Sequence, residues 1–317
     1  MTFLKSLVQP FRRDRTPADL ARWLDEPEAQ LREWLGSTAA YARGYDYTRF
    51  HIPKRRGGVR RIEAPSDKLK RLQRKVLLRL LNPLPQPPAV TGYVRGRSIV
   101  DNARPHVGQG VVINLDLADF FPSIGVLRVE AVFRALGWNA EAASILARLC
   151  TSEGRLPQGA PTSPALSNLV CRKLDQRLAA LLTRCKGHYT RYADDLTLSL
   201  PAFGKNKRLR PHVRGSGPSR RKPSGPSRKL LTTVRTIIEE EGFKLQLKKR
   251  VRVQRAHQRQ TATGLVVNRQ VNLPRRTRRL IRAMQHRQRL GQLDVAGQKR
   301  LRGLESFLRM VLEQRQT

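Results

Sequence analysis

The chain has 317 residues, with 63 Lys and Arg against 24 Asp and Glu and a formal net charge of +39. Such an imbalance repels itself unless a polyanion neutralises it, so nucleic acid is the expected partner and anionic membrane the lesser competitor. No apolar run is long enough to cross a bilayer, the opening MTFLKSLVQPFRR lacks the apolar length and charge order of a secretory signal, and the expected location is the cytoplasm.

Cys150, Cys171 and Cys185 are too few and too scattered for a disulfide framework, and neither a CxxC nor an HExxH spacing occurs. Any bound metal must therefore be held by carboxylates.

In chain order, TPADLARWLDEPEAQLREWLG predicts two short helices, opened by Thr16 and Pro17, punctuated at Asp25 to Pro27 and closed by Gly36. TRFHIPKRRGGVRRIEAP predicts a β-hairpin around a basic Gly57-Gly58 turn, and the spacing from Ser66 to Leu81 predicts a helix broken by Pro83. In GVVINLDLADFFPSI the continuous apolar run from Val111 to Ile113 suits a buried central strand, and that strand ends in acid at Asp116. Helices are expected over LRVEAVFRALGW, AEAASILARLC and about Ser163 to Leu182.

RYADDLTLSL then places Asp194 and Asp195 between extended runs. The following stretch, about residues 204–229, is rich in Gly, Pro, Ser and basic residues and carries no acid, which predicts a mobile surface insertion. LLTTVRTIIEEEGF returns to a helical pattern. After TATGLVVN the C-terminal portion reads as basic and helical.

Two adjacent carboxylates repel each other, so the Asp194-Asp195 pair has two readings: a solvated hairpin turn, or a turn that presents both acids to a divalent cation. Asp116, ending another apolar strand, would add a third oxygen donor and complete a site suited to Mg²⁺. Strand-end acids alone leave both readings open.

The ordered set NLDLADFFPSI, LPQGAPTSPALSNL, RYADDL and GFKLQLKK resembles the palm motifs of reverse transcriptases. IPKRRGGVRRIEAP resembles their fingers hairpin, so the likeness runs from about Tyr45 onward. NARPH, Asn102 to His106, fits the NAxxH motif of bacterial retron reverse transcriptases, and TATGLVVN is similar to their VTG-containing segment, with Ala262 where the family usually has Val.

The resemblance implies an α+β right-hand polymerase with fingers, an antiparallel palm sheet and a helical thumb. Its expected division is an N-terminal helical region over residues 1–44, fingers and palm over 45–268, and a basic thumb over 269–317 with no maturase or endonuclease domain after it. It further implies that Asp116 and Asp194 ligate two Mg²⁺ ions, with Asp195 in support and the Leu117 carbonyl as a further ligand. Phe121 would sit under the incoming sugar, Gln158 and Gly159 along nucleotide and template, and Lys54 and Arg60 on the triphosphate.

Asn102, His106, Arg275, Arg276, Arg278, Arg279 and Arg282 would contact nucleic acid. The implied partners are dNTPs, a cognate structured non-coding RNA primed from an internal 2′-hydroxyl, its branched RNA-linked DNA product, and a separate effector protein in defence against phage. The alternatives are another prokaryotic reverse transcriptase, of abortive-infection or CRISPR-associated type, and a non-catalytic RNA-binding protein on a polymerase fold.

Overall fold

The structure is a computed structural model that describes residues 14–36, 47–54, 57–202, 226–246 and 251–315. Most of the expected basic insertion lies outside the described residues, as do Arg55 and Arg56. Two compact units interleave along the chain: the first comprises residues 1–88, 93–95 and 118–173, the second residues 89–92, 96–117 and 174–317.

The first unit is mostly helical. Helix α1 (Pro17–Leu24) is started by a capping box, in which the Thr16 hydroxyl accepts from the Asp19 N–H while the Asp19 carboxylate accepts from the Thr16 N–H. Helix α2 (Glu28–Gly36) follows, then the antiparallel hairpin of β1 (Tyr47–Pro53) and β2 (Val59–Pro65), whose turn uses Gly57 and Gly58 at φ +88° and +82°. Few side chains reach those angles without strain, which is why two glycines stand there.

Helix α3 (Asp67–Val76) is expected to run on to Leu81, but Leu77–Leu81 forms a wide π-turn closed by the Asn82 N–H on the Leu77 carbonyl at 2.8 Å. The wider turn leaves Leu80 and Leu81 both buried while Leu78 is exposed. Helices α5 (Val126–Ala135), α6 (Ala140–Cys150) and α7 (Ser163–Val170) complete this unit, while α4 (Ile99–Ala103), which precedes them in sequence, belongs to the second. The single helix expected from Ser163 to Leu182 is two: Cys171, with ψ at −3°, ends α7 before α8 (Arg172–Arg184) begins.

The second unit is built on a four-stranded antiparallel sheet in the order β4-β5-β3-β6, from β4 (His188–Tyr192), β5 (Asp195–Leu200), β3 (Val111–Asp116) and β6 (Arg252–Arg255). The interior strand β3 is the apolar run read from sequence, and Val111, Val112 and Ile113 are buried. Helix α9 (Pro226–Glu240) and the short ladder of β7 (Thr261–Ala262) and β8 (Leu265–Val266) precede helices α10 (Arg275–Arg289) and α11 (Val295–Gln314). Ile281, Met284, Leu301 and Val311 of these last helices share one core with Val100, Val112, Ala262 and Leu265. Burial of that common apolar surface ties the C-terminal helices to the sheet.

Candidate active site

Strand pairing sets the three acids at one end of the sheet. Asp116 lies directly opposite Asp195 in the β3–β5 register, so the two share a face of the sheet. Asp194 is in the turn between β4 and β5, and its carbonyl accepts the Leu117 N–H at 3.0 Å. The Asp116 carbonyl accepts from the Gln246 N–H at 2.8 Å, which fixes the other side of the same strand end. Leu117, a residue expected to offer its carbonyl to a metal, is buried at this end with its N–H already engaged.

Among the described residues, no three His, Cys, Asp or Glu side chains stand together as a formed metal cage. The main chain brings the three acids to one end of the sheet. The donor set nonetheless fits a hard divalent cation: three carboxylates and main-chain carbonyls, with no sulfur or imidazole.

The acid-bearing turn is tightly held. Ala193, its first residue, has φ +58°, a conformation that costs a non-glycine residue energy and persists where surroundings over-determine it. A neighbouring segment supplies part of that constraint: the Arg191 N–H donates to the Ala89 carbonyl at 2.8 Å, and the Thr91 N–H to the Arg191 carbonyl at 2.9 Å. A Cβ on Gly92 would lie 2.5 Å from the Ala193 nitrogen. Only glycine fits there. Neither Gly92 nor this strut was foreseen from sequence, although a glycine in an otherwise unremarkable loop is the signal that could have shown it.

The expected nucleotide contacts all lie in the first unit. Lys54 and Arg60 are exposed on the β1–β2 hairpin, where the Lys54 N–H donates to the Gly58 carbonyl at 2.8 Å. Phe121 packs its ring 5.3 Å from Phe120 and 6.3 Å from Tyr93, measured between centroids. Tyr93 is half exposed and holds φ +61°, an unforeseen aromatic beside the expected sugar-facing ring.

Gln158 gives its carbonyl to the Glu63 N–H at 2.9 Å. A Cβ on Gly159, at φ +137°, would stand 2.8 Å from the Glu63 carbonyl oxygen. The close backbone approach that Gly159 permits is therefore to β2 of its own unit.

Asn102 and His106, expected to contact nucleic acid, both have fully buried side chains. The Thr91 hydroxyl donates to Asn102 Oδ1 at 2.8 Å, and the Thr190 hydroxyl to the Asn102 carbonyl at 3.1 Å. With its one proton so used, Thr190 accepts from His106 Nε2 at 2.8 Å, and His106 Nδ1 accepts from the Ser199 hydroxyl at 2.8 Å. The ring is thereby fixed as the neutral Nε2–H tautomer. Burial, then the nearby His188 charge, holds its pKa down at about 3. The motif staples α4 and its following turn to strands β4 and β5.

Arg275, Arg276, Arg278, Arg279 and Arg282 are all exposed on α10. At 100° per residue they span an arc of about 160°, opposite the buried Ile281 and Met284. No acid stands in the first turn of α10, so Arg275, Arg276 and Arg278 oppose the positive end of the helix dipole. A helix start so arranged is stabilised by a bound polyanion.

A family model described as "Reverse transcriptase (RNA-dependent DNA polymerase)" matches residues 52–267, more than half of the chain, and the chain belongs to this family, with the α+β polymerase fold that goes with it. The Retron Mx65 reverse transcriptase of Myxococcus xanthus is 39% identical over 84% of this chain and 61% of its own length. The Retron Mx162 reverse transcriptase of the same organism is 36% identical over 95% of this chain and 67% of its own length. The Retron Ec86 reverse transcriptase of Escherichia coli is 45% identical over 46% of each chain. Within the family, this is a bacterial retron-type member. The chain spans about three fifths to two thirds of the length of the two Myxococcus relatives. No described helix is long and apolar enough to cross a membrane.

Proposed function

We propose that the protein is an RNA-directed DNA polymerase that copies part of a cognate structured non-coding RNA. The observation that carries this reading is the pairing of Asp116 with Asp195 at the end of a buried strand, with Asp194 tied by its carbonyl to the next residue, Leu117. Asp116 and Asp194 would hold two Mg²⁺ ions, with Asp195 in support and the Leu117 carbonyl as a further donor. When bound, these ions lower the pKa of a primer hydroxyl and neutralise charge developing on the α-phosphate as pyrophosphate leaves.

The remaining residues bind and select. Lys54 and Arg60 neutralise the triphosphate, Phe121 closes the space a 2′-hydroxyl would need, and Gln158 and Gly159 line the nucleotide and template path. The α10 arginines follow the phosphates of an RNA/DNA hybrid by charge and shape rather than by base identity. In this scheme β1 and β2 belong to the fingers, the four-stranded sheet is the palm, and α10 and α11 form the thumb.

The retron relatives support the finer reading. Synthesis starts from the 2′-hydroxyl of an internal guanosine in the cognate RNA and gives a branched, RNA-linked single-stranded DNA in the cytoplasm, where a separate effector protein uses it in defence against phage. Sequencing the nucleic acid that co-purifies with the protein tests this. One branched RNA/DNA species is expected; heterogeneous or untemplated DNA would transfer the assignment to another prokaryotic reverse transcriptase class.

A further inference from the structure

Arg191 heads the largest fully buried side chains described, with 0% of it exposed. An arginine is almost never so deeply buried unless it is paired, and its partner is Asp175 of α8, itself only 1% exposed. The guanidinium grips both carboxylate oxygens, Nε on Oδ1 and Nη2 on Oδ2, each at 2.7 Å. The Tyr189 hydroxyl also donates to Asp175 Oδ1 at 2.7 Å. Arg191 Nη1, on the remaining side of the fork, donates to the Ala193 carbonyl at 3.2 Å.

That last bond joins the ion pair to the acid-bearing turn, because the Ala193 carbonyl belongs to the peptide whose nitrogen is that of Asp194. The Arg191 main chain is meanwhile bonded on both sides to the 89–92 segment. A planar fork can hold a carboxylate and a carbonyl at once, whereas a lysine ammonium is a point donor on a flexible stem. The charge of Arg191 is matched by Asp175, both of them buried, while its Nη1 reaches the acid-bearing turn.

We propose that Arg191, clamped by Asp175, is a positioning residue that fixes the Ala193–Asp194 peptide and so sets how Asp194 and Asp195 are presented beside Asp116 to a divalent cation. The proposal rests on the polymerase reading and adds to it a determinant of cation affinity outside the carboxylates. A pair that merely stabilised the fold would change the amount of folded protein and leave the cation affinity of the folded fraction alone.

The test uses the full chain and two variants: Arg191→Lys, and the neutral pair Arg191→Gln with Asp175→Asn, which avoids leaving a buried charge unmatched. Mn²⁺ binding is titrated by electron paramagnetic resonance without nucleic acid, and exchange of the Leu117 amide, the donor to Asp194, is followed in the same samples. Both variants are expected to fold, to weaken Mn²⁺ binding at least ~10-fold, as removal of an outer-shell partner typically does, and to exchange the Leu117 amide faster. Polymerisation should lose kcat with little change in KM for dNTP.

A folded variant with parental Mn²⁺ affinity and parental Leu117 exchange overturns the proposal. Failure of both variants to fold also overturns it, by making the pair a folding element. Asp194→Asn runs beside them. Loss of activity there with parental behaviour in the Arg191 variants sinks only this inference, while parental activity of Asp194→Asn sinks the polymerase reading itself.

Discussion

Acidification is expected to erode the stability that neutral His106 contributes before most carboxylates protonate, because the unfolded chain takes up the proton first. His106 is fully buried between Ser199 and Thr190, and desolvation, followed by the His188 charge, lowers its pKa from 6.5 to about 3. The unfolded chain takes up the proton near pH 6.5 and the folded chain does not until about pH 3. The stability due to neutral His106 is therefore complete above pH 6.5 and declines as the pH falls through the window below it. At about 1.4 kcal/mol per pH unit, going from pH 7.5 to pH 5 removes about 2 kcal/mol.

The assay is urea unfolding at pH 5 to 8 for the parent and His106→Gln. Glutamine can still offer a donor and an acceptor but does not titrate. The variant should be less stable at pH 7.5, by about 1–3 kcal/mol for imperfectly paired buried hydroxyls, and the gap should close by about 2 kcal/mol at pH 5. Parallel stability curves across this range would refute the burial-driven shift and, with it, the neutral-tautomer network.

Other perturbations follow from the same geometry. Gly92→Ala places a methyl group 2.5 Å from the Ala193 nitrogen, so the acid-bearing turn must shift; overpacking of this kind costs about 1–3 kcal/mol and should show in thermal unfolding together with lost DNA synthesis. Phe121→Ala is expected to raise incorporation of rNTP relative to dNTP in steady-state assays, and an unchanged ratio would move the sugar gate to another side chain, Tyr93 first. Replacing Arg275, Arg279 and Arg282 by Gln should lower the magnitude of the slope of log affinity against log salt by about 2–3 if each neutralises one phosphate. An unchanged slope would leave the exposed face of α10 solvated rather than bound.

The features legible in the sequence are those carried by local pattern. The apolar run from Val111 to Ile113 announced a buried interior strand, and the Gly57-Gly58 turn announced a hairpin, because each depends on neighbours in sequence. The pairing of Asp116 with Asp195 depends on register between strands about eighty residues apart, and it became legible only through the order of several motifs.

Buried polar structure left no comparable trace. Asn102 and His106 read only as nucleic-acid contacts because their partners, Thr91, Thr190 and Ser199, come from separate segments. Arg191 likewise looks like one more cation in a chain of net charge +39, until α8 brings Asp175 against it. The π-turn at Leu77–Leu81 has the composition of an ordinary helix, and only the packing of Leu80 and Leu81 distinguishes it.

The most direct test of the account is Asp194→Asn, assayed for RNA-templated DNA synthesis and, separately, for RNA affinity. The substitution keeps the size of the side chain and removes the charge that a divalent cation needs. Synthesis is expected to fall at least ~10³-fold, equivalent to about 4 kcal/mol of transition-state stabilisation, with RNA affinity nearly unchanged. Equal synthesis by variant and parent would contradict the claim that these strand-end carboxylates form the active site.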